Sequence, residues 1–243
     1  MNNVLLDVTD LSKTFGGLKA VDALSFSVQP GETLGLIGPN GSGKTTVLNL
    51  LTAAFPSDSG RVIFKGNAID GMPAFRVCRA GIARTFQLVR PLKGMSVADN
   101  VLIGRIYGAA AEPIAPARAK VRELLALVGL EGRADMPVDA LTYIDQKRVE
   151  LARALAAEPQ LLLLDEWLAG LNPTELEAGI LLVRSLKDRG LAIILVEHVM
   201  HAVRSLCDRC IVLSAGRCIA EGPPGAVLAD AEVKRAYLGD ESA

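Results

Sequence analysis

Gly38-Pro39-Asn40-Gly41-Ser42-Gly43-Lys44-Thr45 stands between an apolar run, Thr33-Leu34-Gly35-Leu36-Ile37, and a helix-forming run, Thr46-Val47-Leu48-Asn49-Leu50-Leu51. A glycine, four residues and then Gly-Lys-Thr, set between strand and helix, is the pattern of a phosphate-binding loop. Its glycines let successive backbone N–H groups curl toward an anion, and the following helix adds the positive end of its dipole. Lys44 is placed to reach the outer phosphates and the Thr45 hydroxyl to ligate magnesium, so the loop predicts that the chain binds a nucleoside triphosphate. A glycine-rich turn that binds nothing has no use for Lys and Thr at those two places.

The chain of 243 residues is long enough for one large α/β domain or two small ones with a substantial core. Hydrophobic residues make up 50% and aromatics only 4%, which predicts a core of Leu, Val, Ile and Ala. With 26 basic against 27 acidic residues and no run of like charge, no nucleic-acid surface is expected. Apolar runs such as Leu191–Val196 fall far short of the roughly 20 residues needed to cross a bilayer. The N-terminal stretch lacks a basic segment followed by a long apolar one, so no export signal and a cytoplasmic chain are expected. Of the four cysteines, Cys207 and Cys210 have redox or metal spacing, but a zinc site wants a second pair and only Cys78 and Cys218 remain. Cys210 opens an apolar strand-like run, where a buried thiol acts as a small hydrophobe. His198 and His201 lack the carboxylate of a helical metal motif.

Val4–Val8 and the strictly alternating Leu24–Val28 predict antiparallel strands with one face in water or against a ligand. Arg61–Lys65 with the Gly66-Asn67 turn predicts a further hairpin strand, and Gly81–Gln87 a short strand ending on the glutamine. From about Pro91 to Ala156 the periodicity is helical, with a helix start at Ser96 and an amphipathic helix over Arg118–Val128 stopped by Gly129. Beyond it, strands Leu161–Leu164, Leu191–Val196 and Cys210–Leu213 alternate with helices from Pro173 and over Val199–Leu206. Continuous apolar strands are covered on both faces and therefore predict a parallel sheet.

Leu161–Leu164 leads directly into Asp165-Glu166, which delivers two carboxylates to the carboxyl rim of the sheet. Beside a phosphate loop, Asp165 is placed to hold magnesium and Glu166 to polarise the attacking water; without one, such a pair merely caps the next helix. His198, just past a neighbouring strand, either contacts the γ-phosphate or lies on the surface.

The phosphate loop, Gln87 after Arg84-Thr85-Phe86, Leu141–Gln146 ahead of a helix, Leu164-Asp165-Glu166, Gly170-Leu171-Asn172 and His198 occur in the order of an ATP-binding-cassette (ABC) ATPase, which the chain resembles over essentially its entire length. Phe15–Val21, Gly81–Gln87, Gly170–Pro173 and Ala220–Pro224 look like the cassette subunits of branched-chain amino-acid importers. The resemblance implies a single nucleotide-binding domain over residues 1–243, with an α/β phosphate-loop core and antiparallel β subdomain at 1–90 and 157–243 and a helical insertion at 91–156. It also implies ATP and Mg2+ as ligands. Phe15 would stack on adenine with Val21 beside it, Asn40, Gly41, Ser42, Gly43, Lys44, Thr45 and Thr46 would hold the phosphates, and Thr45, Gln87 and Asp165 the metal. Glu166, His198 and Gln87 would serve hydrolysis. The partners implied are a second cassette, alike or different, that meets the chain head to tail, membrane-spanning permease subunits, and indirectly an exported solute-binding protein. The implied location is the cytoplasmic face of the cell membrane.

The chain departs from the family pattern at two places, within the signature and just after the catalytic carboxylate. The signature Leu-Ser-Gly-Gly-Gln here reads Leu141-Thr142-Tyr143-Ile144-Asp145. Thr142 keeps the hydroxyl, but Ile144 replaces a glycine whose N–H faces the γ-phosphate of the opposing chain. A positive φ there would make Ile144 a costly outlier, whereas a helical φ adds only bulk. Asp145 adds charge near that phosphate, softened by Lys147 and Arg148. Trp167 replaces the proline that follows the catalytic carboxylate. Competing functions are an exporter cassette such as one extracting lipopolysaccharide, or a module that uses ATP only to clamp a dimer; a soluble cassette on DNA or ribosomes usually carries two cassettes or inserted arms, absent here.

Overall fold

The alternating and the continuous apolar runs fold into different sheets. In a computed structural model, which describes residues 4–109 and 112–238, the chain runs β1 (Leu6–Phe15), β2 (Leu18–Val28), β3 (Thr33–Ile37), α1 (Lys44–Leu51), β4 (Ser59–Phe64), β5 (Asn67–Ala68), α2 (Ala74–Ala80) and β6 (Ile82–Arg84). It continues through α3 (Val97–Tyr107), α4 (Ile114–Leu127), α5 (Tyr143–Ala156), β7 (Leu161–Asp165), α6 (Pro173–Asp188), β8 (Ala192–Val196), α7 (Met200–Leu206), β9 (Arg209–Ser214), β10 (Arg217–Gly222), α8 (Pro224–Val227) and α9 (Ala231–Leu238).

The first sheet is antiparallel, in the order β2-β1-β4-β5. Its first two strands extend well beyond Val4–Val8 and Leu24–Val28. Register shifts after Val8 and Leu11, with Asp10 at φ 51° and Ala23 at φ 49°, break the two-residue period and hide the continuation from a pattern reading. Gln87 also lies beyond its strand, because β6 ends at Arg84.

The second sheet has the order β10-β9-β3-β8-β7-β6, parallel throughout except for the antiparallel edge strand β10. Every residue of β3, β7 and β8 is buried. Leu34, Leu36, Leu161, Leu163, Ile194 and Val196 join the core shared with the antiparallel sheet. Their alternates Ile37, Leu162, Leu164, Ile193 and Leu195 join the core under the helices. With both faces covered, the sheet is buried as continuous apolar strands require. Because β3, β8, β7 and β6 are adjacent and parallel, the residues that follow them emerge on one rim, where α/β sheets bind ligands.

Residues 91–156 carry α3, α4, α5 and a 3-10 turn at Val138–Ala140, joined by one antiparallel bridge between Ser96 and Pro137. Ser96 caps α3 by accepting the Asp99 N–H. α4 begins at Ile114, four residues ahead of the Arg118 expected from periodicity.

Candidate nucleotide site

Three glycines give the loop after β3 its shape. Gly38, Gly41 and Gly43 have φ of +146°, +76° and +107°, and a Cβ on Gly38 or Gly43 would lie 2.1 Å from the Leu213 carbonyl or 2.3 Å from that of Ala20. Only glycine meets both the angle and the space. Lys44 opens α1 and is buried, its Nζ donating to the Gly38 and Pro39 carbonyls at 2.8 Å each. Burial pulls its ammonium below the ordinary value, opposed by the charges of Glu166 and Asp165. Ser42 Oγ is buried without a hydrogen-bond partner. An ammonium bonded only to its own loop and an orphaned hydroxyl suit an incoming polyphosphate.

The loop forms one wall of a groove of about 650 Å³. Asn40–Thr46 line it together with Phe15, Leu18, Lys19, Ala20, Gln87, Glu166 and Ala215. Phe15 offers a half-exposed ring, held edge-on by Phe55 at 5.3 Å. Val21 is fully buried in the core under the antiparallel sheet, so Ala20 lines the groove in its place. The alternation of β2 turns Val21 inward, whatever the spacing suggests.

On the facing wall β7 ends in Asp165, and Glu166 follows in the left-handed region at φ 50°. A glutamate held there stores on the order of 1–3 kcal/mol of backbone strain. Its N–H donates to the Val196 carbonyl at 2.9 Å, which fixes the turn. Its carboxylate is held from two sides, by Gln87 Nε2 at 2.7 Å and His198 Nε2 at 3.0 Å. Gln87, Glu166 and His198 thus meet at one carboxylate beside the phosphate loop.

Asp165 is buried, and Arg84 Nη2 reaches its Oδ2 at 2.6 Å while Arg84 Nη1 donates to Asn49 Oδ1 at 2.5 Å. Asp165 Oδ1 has no partner. The described residues contain no cluster of three or more His, Cys, Asp or Glu able to cage a metal. One orphaned carboxylate oxygen, the Thr45 hydroxyl on the groove and the Gln87 amide fit a hard cation that takes its other ligands from phosphate and water, as Mg2+ does. Arg84 and Asn49 carry no motif of their own; the arginine precedes Gln87 in sequence, and only the fold brings it to the carboxylate.

Thr142 and Ile144 lie outside this groove, at the start of α5. Thr142 caps the helix, its hydroxyl donating to Asp145 Oδ2 at 2.8 Å and accepting the Asp145 N–H. Ile144 sits in the first helical turn and is not among the residues of positive φ. The costly alternative therefore does not arise. Ile144, Trp167 and Gly179 line one small cavity of about 180 Å³, so two of the departures from the family pattern share one packing site. Asp145 is buried and paired with Arg133, and with Arg148 at 3.1 Å, which absorbs its charge within the chain.

A second concavity of about 400 Å³ opens between α2, β6, α3 and α5. Phe75, Cys78, Phe86, Ile103, Tyr107, Ala154 and Arg84 line it, with Phe75 and Tyr107 largely exposed.

The model of the ABC transporter family matches residues 21–169. The chain belongs to the ATP-binding-cassette family. A further model, for the branched-chain amino acid ATP-binding cassette transporter, matches residues 217–243. The chain is 35% identical, over 99% of its length and all of that protein, to the high-affinity branched-chain amino acid transport ATP-binding protein LivG of Escherichia coli K12. It is 34% identical over the same shares to BraF of Pseudomonas aeruginosa. Among solved structures, a nucleotide-free ATP-binding cassette from an ABC transporter superposes with TM-score 0.89 at 32% identity, covering 98% of this chain and 100% of that one. A cassette in its ADP conformation gives 0.88 at 32% identity, covering 98% and 99%. As an ABC cassette of this type, the chain is the ATP-hydrolysing subunit of a membrane transporter.

Proposed function

We propose that this cassette powers the import of branched-chain amino acids or related small solutes, as one domain over residues 1–243 with the helical insertion at 91–156. Similarity to LivG and BraF over the full length carries the choice of solute class. The Glu166 carboxylate, shared by Gln87 and His198 beside the Lys44 loop, carries the chemistry.

In this account the ring of Phe15 takes the adenine. Lys44 exchanges the Gly38 and Pro39 carbonyls for the β- and γ-phosphates, and the N–H groups of Asn40–Thr46 bind the remaining oxygens. Mg2+, when bound, neutralises developing charge on the phosphates; Thr45, Gln87 and the free oxygen of Asp165 are the groups that would hold it. Glu166 takes the proton of the attacking water, and His198 orients that carboxylate and can turn to the γ-phosphate. Thr142 and the Ile144 N–H, on the exposed start of α5, close over nucleotide held by a second cassette.

The apolar concavity at Phe75 and Tyr107 suits a short helix presented by a permease subunit, with Arg84 at its floor. Among the described residues no helix is long and apolar enough to cross a membrane, so membrane attachment would run through that partner. Phe75→Asp with Tyr107→Asp should abolish co-purification of permease subunits while the free chain still binds ATP; undiminished co-purification would place the partner elsewhere. A strain lacking the gene should lose uptake of radiolabelled leucine, isoleucine or valine and regain it with the wild-type chain. Unaltered uptake of all three would remove the solute assignment.

A further inference from the structure

Lys147 is a buried charge that the chemistry above does not use. It projects from the second turn of α5, five residues beyond the Thr142 cap, and only 2% of it is exposed. Its Nζ donates to the carbonyls of Ala169 at 2.7 Å, Trp167 at 3.0 Å and Glu166 at 3.5 Å. The Trp167 indole N–H returns a bond to the Lys147 carbonyl at 3.1 Å. On the other side of the same segment, Glu197 Oε1 accepts the Leu168 N–H at 2.7 Å, and Glu197 is the residue before His198. Three donors of one ammonium are thus spent on three of the first four carbonyls of the stretch that begins with the strained Glu166. An ammonium sealed from water is costly unless its bonds are well made, so this joint resists loosening.

We propose that Lys147 is a positioning residue that locks the start of α5 to the Glu166 segment, so that nucleotide in the chain's own groove and the signature turn offered to a partner move as one body. The proposal rests on the reading that Thr142 and Ile144 close over the partner's nucleotide. Through Lys147, γ-phosphate at Glu166 sets the attitude of that turn, and by reciprocity the partner's nucleotide sets Glu166. Coupling of this kind can travel through packed and hydrogen-bonded contacts that join both sites, and the lysine supplies such a contact.

The test is hydrogen exchange on the purified chain, at concentrations where sedimentation shows a monomer, with and without magnesium and a non-hydrolysable ATP analogue. In the wild type the analogue should protect residues 38–46 and also change exchange at 141–147 by about threefold or more, the scale of a shift in local opening. In Lys147→Met the protection at 38–46 should persist and the change at 141–147 disappear; Lys147→Arg, which keeps a donor at this place, should restore it. A merely structural lysine would leave the transmitted change intact or abolish both. The proposal is overturned if wild-type 141–147 does not respond although 38–46 is protected, or if Lys147→Met still transmits. Should Lys147→Met not fold, Trp167→Phe, which cuts the return bond and keeps most of the bulk, must weaken the response at 141–147. Failure of the analogue to protect 38–46 would instead overturn ATP binding itself.

Discussion

At the scale of single residues, Glu166 and Glu197 divide two kinds of work. Glu166 sits in a backbone conformation that costs energy, with both oxygens held by groups able to let go. Glu166→Gln keeps the shape and one accepting oxygen but removes the proposed base, so turnover in the assembled transporter should fall about 100-fold or more while ATP stays bound. Steady-state measurement of phosphate release decides this, and unchanged turnover would take Glu166 out of the reaction. Glu197 is fully buried, with one oxygen on the Leu168 N–H and the other without a partner. Burial raises its carboxyl from 4.5 to about 7. The folded chain therefore holds this proton more tightly than the unfolded chain. Its stabilising share is complete below pH 4.5 and is lost as pH rises through about 7, on the order of 3 kcal/mol over the window. Glu197→Gln mimics the protonated acid, so the stability difference between variant and wild type should grow between pH 5 and pH 8 in favour of the glutamine. Urea unfolding at the two pH values checks this, and parallel behaviour of the two proteins would contradict it.

Among the elements, α5 joins the two halves of the mechanism. Its first turn carries Thr142, Ile144 and Asp145, its second carries Lys147, and Glu150 at its middle accepts the N–H groups of Phe86 and Arg90 on either side of Gln87. Ile144 lies in the first helical turn and lines a cavity with Trp167, so the glycine of the family pattern is not needed for backbone angle. Ile144→Gly should leave ATPase activity within about twofold and cost about 1 kcal/mol of stability from helix propensity and lost packing. A large rise in activity would mean that the isoleucine obstructs the partner's nucleotide. This element also marks how far the sequence could be read. That a helix follows the signature stretch was legible; that it begins at Tyr143, inside that stretch, with Thr142 as its cap is shown only by the structure. The pairing of Asp145 with Arg148 was legible too, being an i, i+3 contact, but the pairing with Arg133 and the bonds of Lys147 to a segment twenty residues further on are set by packing and leave no pattern in the chain.

Over the whole molecule, the parallel sheet puts the ends of β3, β8, β7 and β6 side by side, and so unites the Lys44 loop, His198, Glu166 and Gln87 from four distant stretches. Continuous apolar strands and the phosphate loop made this arrangement legible, since each is a short-range signal with few structural solutions. The long first strands were not, because bulges at Asp10 and Ala23 interrupt their period. Nor was the inward turn of Val21, which depends on that register. The hold of Arg84 on Asp165 likewise exists only once β6 and β7 are paired. Each of these roles requires the groove beside β3 to be a triphosphate site that depends on magnesium. The most direct measurement is equilibrium binding of ATP to the purified chain, with and without Mg2+, for the wild type and for Lys44→Ala. The wild type should retain ATP in a magnesium-dependent way and the variant should lose about 100-fold or more in affinity, in line with removal of a buried charge that pairs with phosphate. Equal retention by both proteins would contradict it.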